Sequence, residues 1–203
     1  MITRILIYIK HNLKFVWKII DRVNTILFSL FYGSRLEKTI FLVFNEFAVP
    51  PYSYRKLNGS DAEAVYDLIN RQDQADLEYF RPHSFDMASI RKQFKNQAFL
   101  MMGSFDGEKI TGYFFLRFFA NKKCFVGRLI DKDYRGKGIG PVMNSIMYET
   151  AWRMGFHCLS TISRKNTAVM RAHAKNQTMV VLKELQNDYL LVEFVREGVI
   201  GNR

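Results

Sequence analysis

Three glycines at alternate positions, Gly136, Gly138 and Gly140, follow Arg135 and enclose Lys137. Residues of these types at this spacing are suited to holding phosphate. A glycine lets the backbone come close to a ligand and take dihedrals that a Cβ would forbid. Pro141 suits a first helical turn, where its missing N–H is no loss and its φ is already set. Residues 142–154 then read as a helix that Gly155 stops, with Val142, Ile146, Ala151 and Met154 expected on its buried side. A glycine loop feeding a helix N-terminus offers unpaired N–H groups and the positive end of the helix dipole. Upstream, Phe125 to Ile130 reads as an apolar strand, and Asp131-Lys132-Asp133-Tyr134 as a charged turn.

Two common phosphate loops fit poorly. The P-loop spacing is absent, and the dinucleotide fingerprint needs its third glycine one residue beyond Gly140. What fits is Arg135-x-x-Gly138-x-Gly140 between an apolar strand and a helix, which resembles the acyl-CoA loop of the GNAT acetyltransferase superfamily. The resemblance implies acetyl-CoA as co-substrate and no metal. It places Arg135, Gly136, Lys137, Gly138, Ile139 and Gly140 around the CoA pyrophosphate. It also implies that the preceding strand bulges, with Leu129 and Ile130 at the cofactor and the Ile130 amide where pantetheine is met. A tight strand-to-helix turn without a ligand, or a nucleotide site of the NAD type, are the competing readings.

The downstream sequence is consistent with that family. Residues 156–163 read as a strand and 164–176 as a second helix, and 179–185 and 189–195 as strands joined by a turn at Gln186-Asn187-Asp188. By resemblance, Asn166 is the asparagine that contacts the CoA arm, and Ala168 the small residue beyond it. The family often has a tyrosine seven residues after that asparagine, acting as acid toward the departing thiolate; here the position holds His173, which can titrate near neutrality. Lys175-Asn176-Gln177 replaces the Gly-Phe ending common after this helix, which leaves a non-catalytic member open. The resemblance spans roughly residues 52–196. It implies an α/β (α+β) fold, a mixed, mostly antiparallel central sheet flanked by helices.

The elements ahead of the loop must form the rest of the site. Residues 52–57 read as an opening strand, 62–71 as a helix, 87–96 as a short helix, and 98–105 with 110–119 as a hairpin turning at Asp106-Gly107. Between them, residues 72–86 are polar with aromatic anchors. In the family this region forms one wall of the acceptor pocket, so Glu78, Tyr79, Arg81 and His83 are the substrate candidates. Arg128 stands where an apolar residue is more usual. It either lines the acceptor site and favours an anionic substrate, or points to solvent.

Residues 1–50 differ from the rest. Leu6, Ile9, Leu13, Val16, Ile20, Val23, Leu27 and Leu30 step by three and four, giving an amphipathic helical extension to a domain at 51–203. Seven basic residues against three acidic ones leave this extension at +4, in a chain whose formal charge is +11. Lys10, Lys14, Lys18, Asp21 and Arg22 interrupt every window long enough to span a bilayer, and no cleavable signal is legible. Three readings stand: packing on the domain or on a second copy; lying on an anionic membrane with Trp17, Phe28, Phe31 and Tyr32 at the interface; or a disordered or cleaved tail. Residues 41–44 read either as an extra strand or as the end of a second helix. Cys124 and Cys158 lack metal-ligand spacing and read as buried apolar residues of a reducing compartment. No long Lys/Arg run with interleaved aromatics points to nucleic acid.

These observations together lead to a cytoplasmic enzyme, or one peripheral to the inner face of a membrane. It would transfer acetyl directly to a small-molecule amine in a ternary complex, since no serine or cysteine sits in a base-activated context. An amino sugar on a nucleotide or lipid carrier is the acceptor suggested by the basic surface and the extension. A non-catalytic acyl-CoA-binding scaffold is the alternative.

Overall fold

The computed structural model describes residues 14–167, 169–170 and 179–196, with only the backbone for 14–18. Helix α1, Lys14–Phe47, runs unbroken through residues 41–44, which are therefore neither a strand nor part of a separate helix. At 1.5 Å per residue it is about 51 Å long. Phe28, Leu36, Ile40 and Val43 on one side are buried in the main core. Phe28 stacks on Phe118 with ring centroids 4.7 Å apart, and Tyr32 meets Phe156 edge-on. Asn24 fastens the helix further, donating to the Phe118 carbonyl at 2.9 Å and accepting from the Ala120 N–H at 2.8 Å. Arg117–Asp21 and Arg153–Glu46 bridge helix to domain at 2.9 and 2.6 Å.

The described part of the extension thus packs on the domain, but by a stripe the periodicity did not select. Val23, Leu27 and Leu30 of the expected seam are exposed, whereas Phe28 is buried and Tyr32 half-buried, away from any membrane-facing position. The reason is that α1 is apolar on two sides, and a spacing of three and four describes either. Trp17's side chain lies outside the described residues.

A cis peptide joins Pro50 to Pro51 ahead of strand β1, Ser53–Lys56. Then come α2, Ala62–Asn70; a short α3, Gln74–Leu77, that the sequence did not announce; and α4, Met87–Gln93. Strands β2, Phe99–Asp106, and β3, Lys109–Phe118, form the expected hairpin, with Gly107 at φ +57° in its turn. They are followed by β4, Lys123–Ile130; α5, Ile139–Arg153; and β5, His157–Ser163. Strands β6, Met179–Glu184, and β7, Tyr189–Phe194, complete the described chain.

The strands form one seven-stranded sheet in the order β1-β2-β3-β4-β5-β7-β6, antiparallel except between β4 and β5. Alternate side chains of the sheet enter two cores. Val126, Phe114 and Leu116 join α1 and α5 on one side; Leu129, Tyr113 and Phe115 join α2 and α4 on the other. Helix α5 buries Met143, Ile146, Met147 and Ala151, while Val142, expected inside, is only half-buried. Ile146, Ala151 and Met154 are buried as expected, and Val142 lies at the edge of their stripe.

Candidate functional site

Strands β4 and β5 pair over three rungs only, Lys123↔His157, Cys124↔Cys158 and Phe125↔Leu159, and then part. At the point of divergence the Ser160 hydroxyl donates to the Val126 carbonyl at 3.2 Å. Beyond it the two strands line opposite walls of a cleft of about 770 Å³ that extends to the Gly-rich loop. Which main-chain groups enter the opening follows from strand alternation. Asp131 N–H donates to Thr111 and the Lys123 carbonyl accepts from Phe119, so the odd-numbered residues of β4 face β3. Val126, Arg128 and Ile130 therefore turn their N–H and C=O groups toward the gap. Leu129 pairs its main chain with β3 and buries its side chain in the second core, yet it too lines the cleft.

The loop closes the upper end of the cleft. Gly136 and Gly138 have φ of +76° and +82°, and an added Cβ on either would meet nothing within 4 Å. Gly138 is the N-cap of α5, and no side chain caps that helix. The first-turn N–H groups thus face the cleft beside backbone that a ligand can approach closely, which is the arrangement an oxyanion needs. Gly140 serves a different purpose: a Cβ there would lie 3.2 Å from both Arg128 Nη1 and Ile130 Cδ1, so glycine lets α5 settle onto β4.

The loop's position is fixed by residues the sequence reading passed over. Asp131, fully buried, accepts from Arg71 Nε at 2.7 Å, and Arg71 also donates to the Ile110 carbonyl. The Lys132 N–H donates to Gln72 Oε1 at 3.0 Å. Arg135 lines the cleft with its guanidinium paired to Asp76, 2.8 Å away, so its side chain also ties the loop to α3. The only signal of this network in the sequence was the unpaired acid–base run 131–135. Its partners lie about sixty residues earlier.

Of the remaining expected positions, Ile130, Gly136, Gly138, Ile139, Gly140, Arg128, Tyr79 and Asn166 come together around the cleft. Asn166 also caps the following turn, its Oδ1 accepting from the Val169 N–H at 3.1 Å. Lys137 is exposed, its ammonium 4.5 Å from the Tyr134 ring centroid, and does not line the cleft. Glu78 is exposed and likewise off the cleft, as is Arg81. His83 is held behind the wall. Its Nδ1 meets the Ser84 carbonyl at 2.7 Å and must donate, so Nε2 accepts from the buried Tyr113 hydroxyl at 3.0 Å. Burial lowers its pKa below the usual histidine value. The Phe80 ring, edge-on to Tyr113 at 5.7 Å, lines the cleft in its place.

Arg128 points neither to solvent nor past the second core. Its Nε donates to Asn144 Oδ1 at 2.7 Å under the first turns of α5, beside Tyr148. Burial lowers the guanidinium's pKa, and no carboxylate among the described residues pairs with it. His173, Ala168 and residues 175–177 lie outside the described residues. No cluster of side chains able to hold a metal occurs among the described residues.

A mostly antiparallel sheet that opens between two parallel strands beneath a glycine loop and helix N-terminus defines the GNAT N-acetyltransferase fold. The same fold is found in the PaiA N-acetyltransferase from Thermoplasma acidophilum in complex with coenzyme A, with TM-score 0.59, 17% identity, and 71% of this chain and 99% of that one covered. It is found in the GNAT domain of S. lividans PAT, with TM-score 0.61, 11% identity and 70% and 88% coverage. A third is YncA, a putative acetyltransferase from Salmonella typhimurium with its cofactor acetyl-CoA, at TM-score 0.52, 20% identity and 70% and 91% coverage. By sequence, no protein-family model and no curated protein matches the chain.

Proposed function

We propose that this protein is an acetyl-CoA-dependent N-acetyltransferase that passes the acetyl group directly to a small-molecule amine in the cytoplasm. The observation that carries the reading is that one cleft holds both the uncapped N-terminus of α5, with Gly136 and Gly138, and the unpaired β4 rungs of Arg128 and Ile130. Acetyl-CoA, when bound, supplies the activated acyl group as a thioester. The N–H groups of residues 136–140 hold the diphosphate, aided by the helix dipole. The Ile130 amide meets the pantetheine arm, and the Arg128 N–H is placed to donate to the acyl oxygen, where negative charge develops. Asn166 closes the opposite wall. A primary amine is largely protonated near pH 7, so it must lose a proton before attack. His173, seven residues beyond Asn166 in sequence, is the proposed donor to the departing sulfur.

Tyr79 and Phe80 form the acceptor side. An aromatic wall and a net charge of +11 support an acceptor that is itself anionic, such as an amino sugar on a nucleotide or lipid carrier. The test is titration calorimetry with acetyl-CoA, CoA and NAD, then an amine panel assayed by mass spectrometry for a gain of one acetyl group. Binding of acetyl-CoA but not NAD, with acetylation of an amine, is expected. Binding of acetyl-CoA without turnover on any amine would favour a non-catalytic scaffold. Rejection of both CoA species would end the proposal.

A further inference from the structure

Helix α1 is apolar on the side that faces away from the protein. Ile19, Val23, Ile26, Leu27, Leu30 and Phe31 are 47, 48, 50, 38, 75 and 71% exposed, and Phe41 and Leu42 continue the row at 66 and 56%. At 100° per residue these positions fall on one broad side, opposite the stripe through Phe28, Leu36, Ile40 and Val43. A contiguous row of large exposed side chains is unusual on a soluble surface and marks a contact.

The charges beside the row state its partner's sign. Each acid of the helix is bound by a cation of the domain: Asp21 by Arg117, Glu37 by Lys56 and Glu46 by Arg153. The exposed cations Arg22 and Lys38 have no acidic partner among the described residues. In sequence, Arg4, Lys10, Lys14 and Lys18 all precede the chain's first acid, Asp21. No described helix is long and apolar enough to cross a membrane. We propose that the outer side of α1 lies on an anionic lipid surface, with the apolar row among the acyl chains and Arg22 and Lys38 at the headgroups. A second copy of the chain suits this side less well, because it would bring unpaired cations against unpaired cations. The proposal stands independently of the acyl-transfer reading.

The experiment is co-sedimentation of the full chain with vesicles of phosphatidylcholine alone and of equimolar phosphatidylcholine and phosphatidylglycerol. Two double variants accompany it, Leu30→Glu with Phe31→Glu, and Arg22→Glu with Lys38→Glu. All four residues are exposed, so the variants are expected to melt and to bind CoA like the parent. The parent should pellet with anionic vesicles and stay in solution with neutral ones, and each double variant should lose about tenfold or more in vesicle affinity. A parent that remains in the supernatant with both vesicles overturns the proposal. So does vesicle binding undiminished in both variants, or a dimer that Leu30→Glu with Phe31→Glu dissociates in the absence of lipid binding.

Discussion

Arg128 on β4 and Asn144 on α5 are joined by a 2.7 Å hydrogen bond that holds a cation beneath the Gly-rich loop with no carboxylate among the described residues to neutralise it. A half-buried guanidinium whose side-chain partner among the described residues is a neutral amide retains most of its charge for whatever enters the cleft. Its field adds to that of the α5 N-terminus, which is already positive.

Replacing Arg128 with leucine therefore has opposite effects on stability and binding. Removing a partly desolvated charge should leave the melting temperature unchanged or raise it. Affinity for CoA should fall by about tenfold, the size of one charge-assisted contact in a shielded site. Calorimetry at two salt concentrations checks this, with the variant expected to show the weaker salt dependence.

Gly138 separates geometry from charge. Asparagine and aspartate both tolerate the left-handed conformation that φ +82° requires, and differ by one charge. Gly138→Asn should bind CoA with a modest loss. Gly138→Asp, with its carboxylate against a diphosphate, should lose a further hundredfold or so, about 3 kcal/mol. Equal affinities of the two variants would show that no anion sits at this loop.

The Asp131–Arg71 pair anchors the loop rather than any ligand. Arg71→Ala leaves Asp131 buried without its partner, and the expected loss is about 2–3 kcal/mol, reduced from the fully buried case because Arg71 is one-third exposed. Urea unfolding measures it. Arg71→Ala combined with Asp131→Asn should recover part of that loss, because the buried charge is removed.

His83 gives a pH signature. Its folded pKa is lowered by burial, so the unfolded chain binds the proton more readily between that value and the usual 6.5. Stability is complete above about 6.5 and falls as pH drops through this window toward the lowered pKa. His83→Gln should flatten the dependence of melting temperature on pH just below about 6.5, leaving the acid unfolding of carboxylates at lower pH unaltered.

The parts of the site that were legible in the sequence are those made by neighbours along the chain. The loop with Gly136 and Gly138 and the Asp106-Gly107 hairpin each depend on a few consecutive residues, and local rules describe them. What escaped was made across distance. The salt bridge that fixes Arg135 at the cleft joins it to Asp76, 59 residues away. His83 read as a substrate contact because nothing local places Tyr113 at its ring. Leu129 and Ile130 are adjacent and both apolar, and only the β3 register decides which one turns its amide to the gap. In α1 the pattern was strong, but two apolar sides produce the same periodicity.

The packing of Phe28 against Phe118 and Phe156 also bears on the order in which the protein is made. Helix α1 leaves the ribosome ahead of the sheet, and the partners of Asn24 and Phe28 are synthesised about ninety to one hundred and thirty residues later. Throughout that interval both of its apolar sides are uncovered, a condition that invites capture by a chaperone. Nascent chains halted before Phe156 should accordingly remain sensitive to protease along α1, and become resistant once the aromatic cluster is complete.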